Sequence, residues 1–417
     1  MLLLYRSAFA ALLPWIGLRL FWKGRRDRRY WYHIPERLGF YGTDASTVSL
    51  WVHAASVGEV QAASTIIDRY LALDPEATCF ITTMTPTGRQ QIAQRYGNHP
   101  QVQYGYVPYD MRSAVRRLLH VIKPSICVIM ETELWPVLIT ETARQRVPLL
   151  LANARLSRRS CRKYAYVRAF AGSILQAFSV IAAQYSADAR RFRFLLGADH
   201  STVHVMGSVK YDLSCSIATQ VQSQPRIWLA VSTHPGEETL VLLAFATIRA
   251  RYPDSLLLLA PRHVERVPAL ISQCKEAVGE AVYTYSEQPD WQTVRGVVLI
   301  DQLGILSSCY AIASVALVGG SLVERGGQNP IEPASYGLPV LMGPSRYNFH
   351  TITRAMRQAG ICTTVTSSAD IAAAIIAYRD DPQAVQAVGE QAKRFVAAHG
   401  GAADKHVASI RQLMRES

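Results

Sequence analysis

The sequence predicts an α/β protein built from two parallel-sheet halves. Short apolar runs alternate with amphipathic stretches from residue 47 onward. The alternation restarts after a polar, proline-closed segment near residue 215, and chemistry-bearing residues collect just after the apolar runs. With 417 residues, 49% hydrophobic and 18% charged, the chain can bury two or three cores without disulfides or metal. That balance excludes disordered and low-complexity classes.

Residues 1–40 contain eight basic residues (Arg6, Arg19, Lys23, Arg25, Arg26, Arg28, Arg29, Arg37) and two acidic ones, so they supply nearly half of the net charge of +13. The apolar stretch between Arg6 and Arg19 is short, carries Pro14, and runs into KGRRDRRYWYH without a small-residue cleavage site. A spanning helix wants about 20 apolar residues. Residues 1–33 therefore read as an uncleaved anchor with a basic juxtamembrane segment on the cytoplasmic face of a membrane, lying in the interface of an anionic leaflet or barely spanning the bilayer. The alternative is a buried helix followed by a solvated basic turn. No nucleic-acid motif accompanies the basic run, so nucleic acid is not an expected partner. The seven cysteines are scattered with no C-x-x-C pair, as suits reduced thiols in a cytoplasmic setting, and no metal signature appears.

In the first half, residues 34–212, strands are expected at Val48–His53, Cys79–Thr83, Val102–Tyr106, Ser125–Met130, Pro148–Asn153 and Ser179–Ala183. Helical patterns at Glu59–Leu71, Gly88–Gln94 and Ser113–His120 lie between them. Residues 213–225 (LSCSIATQVQSQP) read as a linker. The second half, 226–417, starts with Ile227–Ser232 and continues through Leu256–Ala260, Val297–Ile300, Val315–Val318 and Val340–Leu341. Two such halves are expected to face a cleft, with ligands beyond the carboxyl ends of the strands.

Glu59 follows the first strand, with Gly58 read as the tight turn before a helix. It is either an ordinary first-turn glutamate or a carboxylate that the helix dipole keeps ionised and able to accept a proton. Glu131 and Glu133 beside Trp135 follow the fourth strand and serve as caps or as site carboxylates. Asn153 and Arg155 follow the fifth and could face the same cleft. Lys210, in GSVKYD, sits before the linker as an exposed lysine or as the holder of an anionic substrate. In the second half Arg262 follows a strand and offers a bidentate fork to a phosphate. Gly319-Gly320-Ser321 and Gly326-Gly327 form a loop whose amides could approach an anion. Asn329, Pro330 and Glu332 fit an N-cap, a first helical position and a third position, or else Glu332 binds a ribose. There is no G-x-x-x-x-G-K-[ST], no G-x-G-x-x-G after a strand and no G-x-S-x-G, which disfavours NTP-driven work, hydride transfer and serine hydrolysis.

Taken together, HAASVGE, METELWP, LANARLS, GSVKYD, STHPGEE, PRH and GGSLVERGGQNPIEPA resemble, in order, the 3-deoxy-D-manno-octulosonic acid (Kdo) transferases of lipopolysaccharide synthesis. The resemblance implies a GT-B glycosyltransferase of two Rossmann-like domains. It implies inverting transfer of Kdo from CMP-Kdo to a lipid A precursor (lipid IVA or a relative) at the cytoplasmic face of the cell inner membrane, with no cofactor and no metal. Carried over, Glu59 is the general base, and Glu131 and Lys210 support the transition state. Pro261, Arg262, Gly304, Ile305, Leu306, Asn329, Pro330, Ile331 and Glu332 contact CMP. The family commonly has Gly-Glu-Leu where this chain has Gly304-Ile305-Leu306; backbone contacts there would tolerate the isoleucine, side-chain contacts would not. The rival enzyme reading is a UDP-sugar transferase of the same architecture, and the rival from another class is a membrane-bound binding protein.

Overall fold

The computed structural model describes residues 1–42, 47–197, 201–279 except 216–222, and 281–416. The chain divides into two compact units, Met1–Leu213 with Gly400–Ser417, and Ser214–His399.

The first unit is a seven-stranded, all-parallel sheet of β1 (Leu50–His53), β2 (Cys79–Thr83), β3 (Val102–Tyr106), β4 (Ile126–Met130), β5 (Leu149–Ala154), β6 (Val180–Ala183) and β7 (Val203–Val205). Its order is β3-β2-β1-β4-β5-β6-β7. Runs such as ICVIM in β4 are buried at every residue because helices cover both faces of the sheet. One face packs Ile66, Ile67 and Tyr70 of the helix Val57–Leu73 on Val52 and Ile81. The other packs Val115, Leu118 and Leu119 of the helix Arg112–Ile122 around Trp51 and Phe80. Strand order reverses between β1 and β4, so the loops after those two strands open at the switch point where doubly wound sheets bind ligands.

The second unit is also seven-stranded and parallel: β8 (Ile227–Thr233), β9 (Leu256–Pro261), β10 (Val282–Thr284), β11 (Gly296–Leu299), β12 (Val315–Val318), β13 (Val340–Met342) and β14 (Cys362–Thr364). The order β10-β11-β9-β8-β12-β13-β14 puts its switch point between β8 and β12.

The expected domain limits change in three places. The segment 400–417 does not belong to the second half: the helix Ala402–Arg415 returns to the first unit and packs on Val57–Leu73. Its buried Ala402, Ala403, Val407 and Ile410 join the first core. The expected linker begins as helix, since Lys210–Cys215 is continuous, and its residues 216–222 lie outside the described residues. The N-terminal segment is not separate either. The helix Leu2–Arg26 belongs to the first unit, with Leu2 and Tyr5 on the core, and the Phe21 and Trp31 rings stack at 6.0 Å. Leu3, Leu4, Leu12, Trp15, Leu18, Phe21 and Trp22 of that helix remain exposed. Among the described residues, no helix is long and apolar enough to cross a membrane.

Candidate active site

In the first unit β1 ends at His53, and Ser56 caps the next helix, which places Glu59 in its first turn. The turn does not depend on Gly58. That residue lies inside the helix with no atom within 4 Å of where a Cβ would stand, which leaves the surface beside Glu59 open. The Glu59 carboxylate is pinned at both oxygens. The Ala55 N–H donates to Oε2 at 2.9 Å and the Ser56 hydroxyl donates to Oε1 at 3.0 Å. The Ala55 carbonyl in turn accepts from the Thr83 hydroxyl at 3.3 Å and the Met84 N–H at 3.4 Å, so the end of β2 fixes the residue that holds Glu59.

The expectation that the helix dipole keeps Glu59 strongly acidic is overturned. Burial, opposed by the Ala55 N–H bond and reinforced by the neighbouring Glu131 and Glu133 carboxylates, raises its pKa to about 7. Desolvation of a largely buried carboxyl outweighs a partial charge of about half an electron at the helix end. A carboxylate poised near neutrality is a better proton acceptor than an ordinary one.

Glu131 follows β4 with a left-handed φ of 54°, its N–H donating to the Ala152 carbonyl at 2.9 Å. Its Oε1 lies 3.8 Å from the Lys210 ammonium. Glu133 accepts the Trp135 indole N–H at 2.9 Å, and burial pushes its carboxyl upward. Three carboxylates and one lysine thus gather beyond β1 and β4. Asn153 and Arg155 divide: Arg155 is partly exposed, whereas Asn153 is fully buried, against expectation. The Asn153 Oδ1 accepts the Val209 N–H at 3.3 Å, which fixes the loop before Lys210, and its own N–H donates to Nε2 of His406 at 2.9 Å. Asp212, also buried, accepts the Gly401 and Ala403 N–H groups at 2.6 and 2.9 Å. LANARLS and GSVKYD therefore do structural work, tying the C-terminal helix to the segment that carries Lys210.

In the second unit, the Glu237 carboxyl is completely buried behind β8 and accepts four backbone N–H groups. These are His234 at 2.8 Å, Gly320 at 2.7 Å, Ser321 at 3.0 Å and Leu322 at 2.9 Å. Three further loop amides turn inward as well, Gly327 to the Gly320 carbonyl, Gln328 to the Gly319 carbonyl and Gly326 to the Ser345 hydroxyl. This corrects the expectation of an amide cradle for an anion, because a protein carboxylate already occupies it. Gly319 is required by close approach, since a Cβ there would lie 2.5 Å from the Ser232 carbonyl oxygen.

Arg262 projects exposed from the end of β9, its N–H bonded to the Thr233 carbonyl at 2.9 Å, while Pro261 is buried as the last residue of that strand. Glu332 is largely buried. The Asn329 amide donates to Oε1 at 3.1 Å and the Tyr310 hydroxyl to Oε2 at 3.4 Å. Burial raises its pKa, and Asn329, Tyr310 and the nearby Arg262 guanidinium pull it back, so Arg262 and Glu332 share one locale. The cap is shifted by one residue from expectation: Pro330 is the N-cap and Ile331 the first helical residue, with Asn329 Oδ1 accepting the Ile331 N–H at 3.1 Å. Gly304 (φ 86°), Ile305 and Leu306 start the short helix that carries Tyr310 toward Glu332. Gln328 and His234 meet at 3.3 Å, and the His234 and His263 rings lie 6.2 Å apart. Sequence reasoning passed over Tyr310, His234, Glu237 and Gln328; STHPGEE already contained two of them. Among the described residues, no three His, Cys, Asp or Glu side chains converge as a metal site would need.

A family model described as 3-Deoxy-D-manno-octulosonic-acid transferase (kdotransferase) matches residues 32–213, the stretch holding Glu59, Glu131 and Lys210. A 3-deoxy-D-manno-octulosonic acid transferase of Haemophilus influenzae is 35% identical over 357 residues, covering 83% of this chain and 82% of the relative. The enzyme of that name from Bordetella pertussis is 32% identical over 420 residues, covering 95% and 96%. The chain belongs to the Kdo transferase family. This Kdo transferase family member is accordingly a glycosyltransferase enzyme. Its fold is shared with more distant solved structures. A UDP-GlcNAc 2-epimerase from Neisseria meningitidis bound to UDP-GlcNAc aligns with a TM-score of 0.60 at 13% identity, over 89% of this chain and 100% of that one. A glycosyltransferase from Rickettsia africae aligns with a TM-score of 0.56 at 12% identity, over 89% and 100%. These likenesses concern the fold alone, two parallel-sheet α/β units in one chain.

Proposed function

We propose that this enzyme transfers Kdo from CMP-Kdo to a lipid A precursor such as lipid IVA, with Glu59 as the general base. The acceptor hydroxyl gives its proton to Glu59 as its oxygen attacks the anomeric carbon of Kdo. The bond from that carbon to the CMP phosphate oxygen breaks, and CMP departs with the electron pair. One such displacement inverts the anomeric centre. The observation that carries this reading is a carboxylate at the switch point of the first sheet, pinned by two donors and poised at about 7.

Lys210 beside Glu131 supplies a cation and a carboxylate for a transition state in which positive charge develops on the sugar and negative charge on the leaving phosphate. Arg262 is the guanidinium suited to that phosphate, and Glu332, held by Asn329 and Tyr310, accepts the ribose hydroxyls. Pro261, Ile331 and the Gly304-Ile305-Leu306 turn complete the nucleotide contacts through backbone and packing. Residues 1–33 hold the enzyme on the cytoplasmic face of the inner membrane. Exposed Leu12, Trp15, Leu18 and Trp22 enter the interface, and Lys23, Arg25, Arg26, Arg28 and Arg29 meet anionic lipid. Incubation with CMP-Kdo and lipid IVA should give a product heavier by one or more Kdo residues in a mass spectrum. Turnover of a UDP-hexose instead would refute the donor.

A further inference from the structure

Two large depressions in the first unit lie away from Glu59, and they meet at Arg116. One, of about 740 Å³, is lined by Phe40, Arg117, Lys123 and Arg144; the other, of about 700 Å³, by Leu3, Arg6, Phe9 and Arg112. The helix Arg112–Ile122 runs beside both, and the N-terminal helix closes one end. Six cations line the two depressions: Arg6, Arg112, Arg116, Arg117, Lys123 and Arg144. Two carboxylates oppose them. Asp110 is committed to the Val137 and Leu138 N–H groups, at 3.0 and 2.7 Å. Glu141, almost fully buried, lies 3.0 Å from Arg112, 2.7 Å from Arg116 and 2.6 Å from Arg144. One carboxylate clamping three guanidiniums holds them rigidly side by side but neutralises only one. Arg117 is fixed as well, bonded to the Leu38 carbonyl and lying 4.2 Å over the Phe40 ring.

The charge pattern changes along the groove. Toward the N-terminal helix its lining turns apolar at Leu3, Phe9 and Ala10, and exposed Leu4, Leu12 and Trp15 lie on that same helix. Clamped guanidiniums next to an apolar helix match a phosphate joined to hydrocarbon chains. Guanidiniums bind phosphate oxygens as bidentate forks, and basic pockets beside membrane helices take anionic head groups. We propose that this groove is a docking site for the phosphate head group of an anionic bilayer lipid, whose acyl chains lie along the N-terminal helix. It would fix the rotation of the first unit on the membrane, which a diffuse basic cluster cannot do. The proposal rests on the interfacial placement proposed above, and its test separates the two.

Full-length enzyme is floated with vesicles of phosphatidylcholine alone and of phosphatidylcholine with phosphatidylglycerol, with and without soluble glycerol phosphate. Arg6→Gln, Arg117→Gln and Lys123→Gln are combined because none of the three pairs with Glu141. The variant should bind neutral vesicles as wild type does and lose at least roughly tenfold of the preference for anionic ones, by the charge removed. Arg117→Lys alone should weaken the preference, since it keeps the charge but loses the fork. Glycerol phosphate should compete poorly because it lacks the chains; strong competition would overturn the lipid assignment. An unchanged preference in the triple variant would overturn the site. So would complete loss of preference in Lys23→Gln/Arg25→Gln/Arg26→Gln with the groove intact. Failure of the wild type to bind vesicles of either composition would sink the interfacial placement and this site together. Neutral binding without anionic preference would sink this site alone. A melting curve for each variant confirms folding.

Discussion

The Ala55 amide and the Glu59 carboxylate, four residues apart, are joined by a 2.9 Å hydrogen bond that opposes the burial of the same carboxyl group. The bond favours the anion, whereas desolvation and two neighbouring carboxylates favour the acid. The outcome is a group that changes charge near neutrality.

Glu59 should therefore make folding pH-dependent. Its folded pKa is raised above the unfolded value, so the proton binds the folded state more tightly. The resulting stabilisation is fully present below the unfolded pKa, near 4.5, and is lost as pH rises through about 7. Glu59→Gln, which cannot ionise, should raise the melting temperature relative to wild type at pH 8, and the gap should close toward pH 4. An equal gap at both pH values would show that the carboxyl group is not buried as described.

How legible was this in the sequence? The long strands were plain, because β4 and β9 are unbroken apolar runs that only a sheet covered on both faces can bury. The three-residue strands β7, β10 and β14 were missed; each is partly exposed at the sheet edge and too short to show a period. The position of Glu59 followed from the strand-to-helix pattern. Its ionisation did not, since that depends first on burial by the folded chain and then on Glu131 and Glu133, more than seventy positions along the sequence. Glu237 was invisible for the same reason: STHPGEE looks like a capped helix start until Gly320, Ser321 and Leu322 fold against it. The inward Asn153 needed the returning C-terminal helix, which nothing local announces.

Glu237→Gln should be severe. The amide presents N–H groups where backbone N–H donors point, leaving buried donors without acceptors at a cost of about 1–3 kcal/mol apiece. Denaturant unfolding should show a loss of several kcal/mol in total, and calorimetry on protein that still folds should show weakened CMP binding as the Gly319–Leu322 loop relaxes.

Nucleotide binding tests the second unit. Arg262→Ala should weaken CMP binding through loss of the proposed phosphate contact. Glu332→Gln should weaken CMP more than free phosphate, because the proposed partner of Glu332 is the ribose. Unaltered affinity in either variant, measured by isothermal titration, would remove that residue from the site.

His406 gives a second pH effect, in the opposite direction. It is neutral in the fold, with Nδ1–H donating to the Ala402 carbonyl at 2.6 Å and Nε2 accepting from Asn153. Burial lowers its pKa. The stability it contributes is present above the unfolded histidine value of about 6.5, and it is lost as pH falls toward the folded pKa. Hydrogen exchange at acid pH should expose the helix Ala402–Arg415 before the strands, and His406→Asn should flatten that dependence. Identical protection of the helix at pH 5 and pH 8 would contradict it.

The central claim is that Glu59 accepts the proton during transfer, and its most direct test is kcat/KM against pH for CMP-Kdo and lipid IVA. Wild type should lose activity tenfold per pH unit below an inflection near 7, matching the raised carboxyl pKa. Glu59→Gln should retain CMP binding but fall by about 10²–10⁴ in rate and lose that inflection. A variant that keeps the wild-type profile and most of the rate would contradict the assignment.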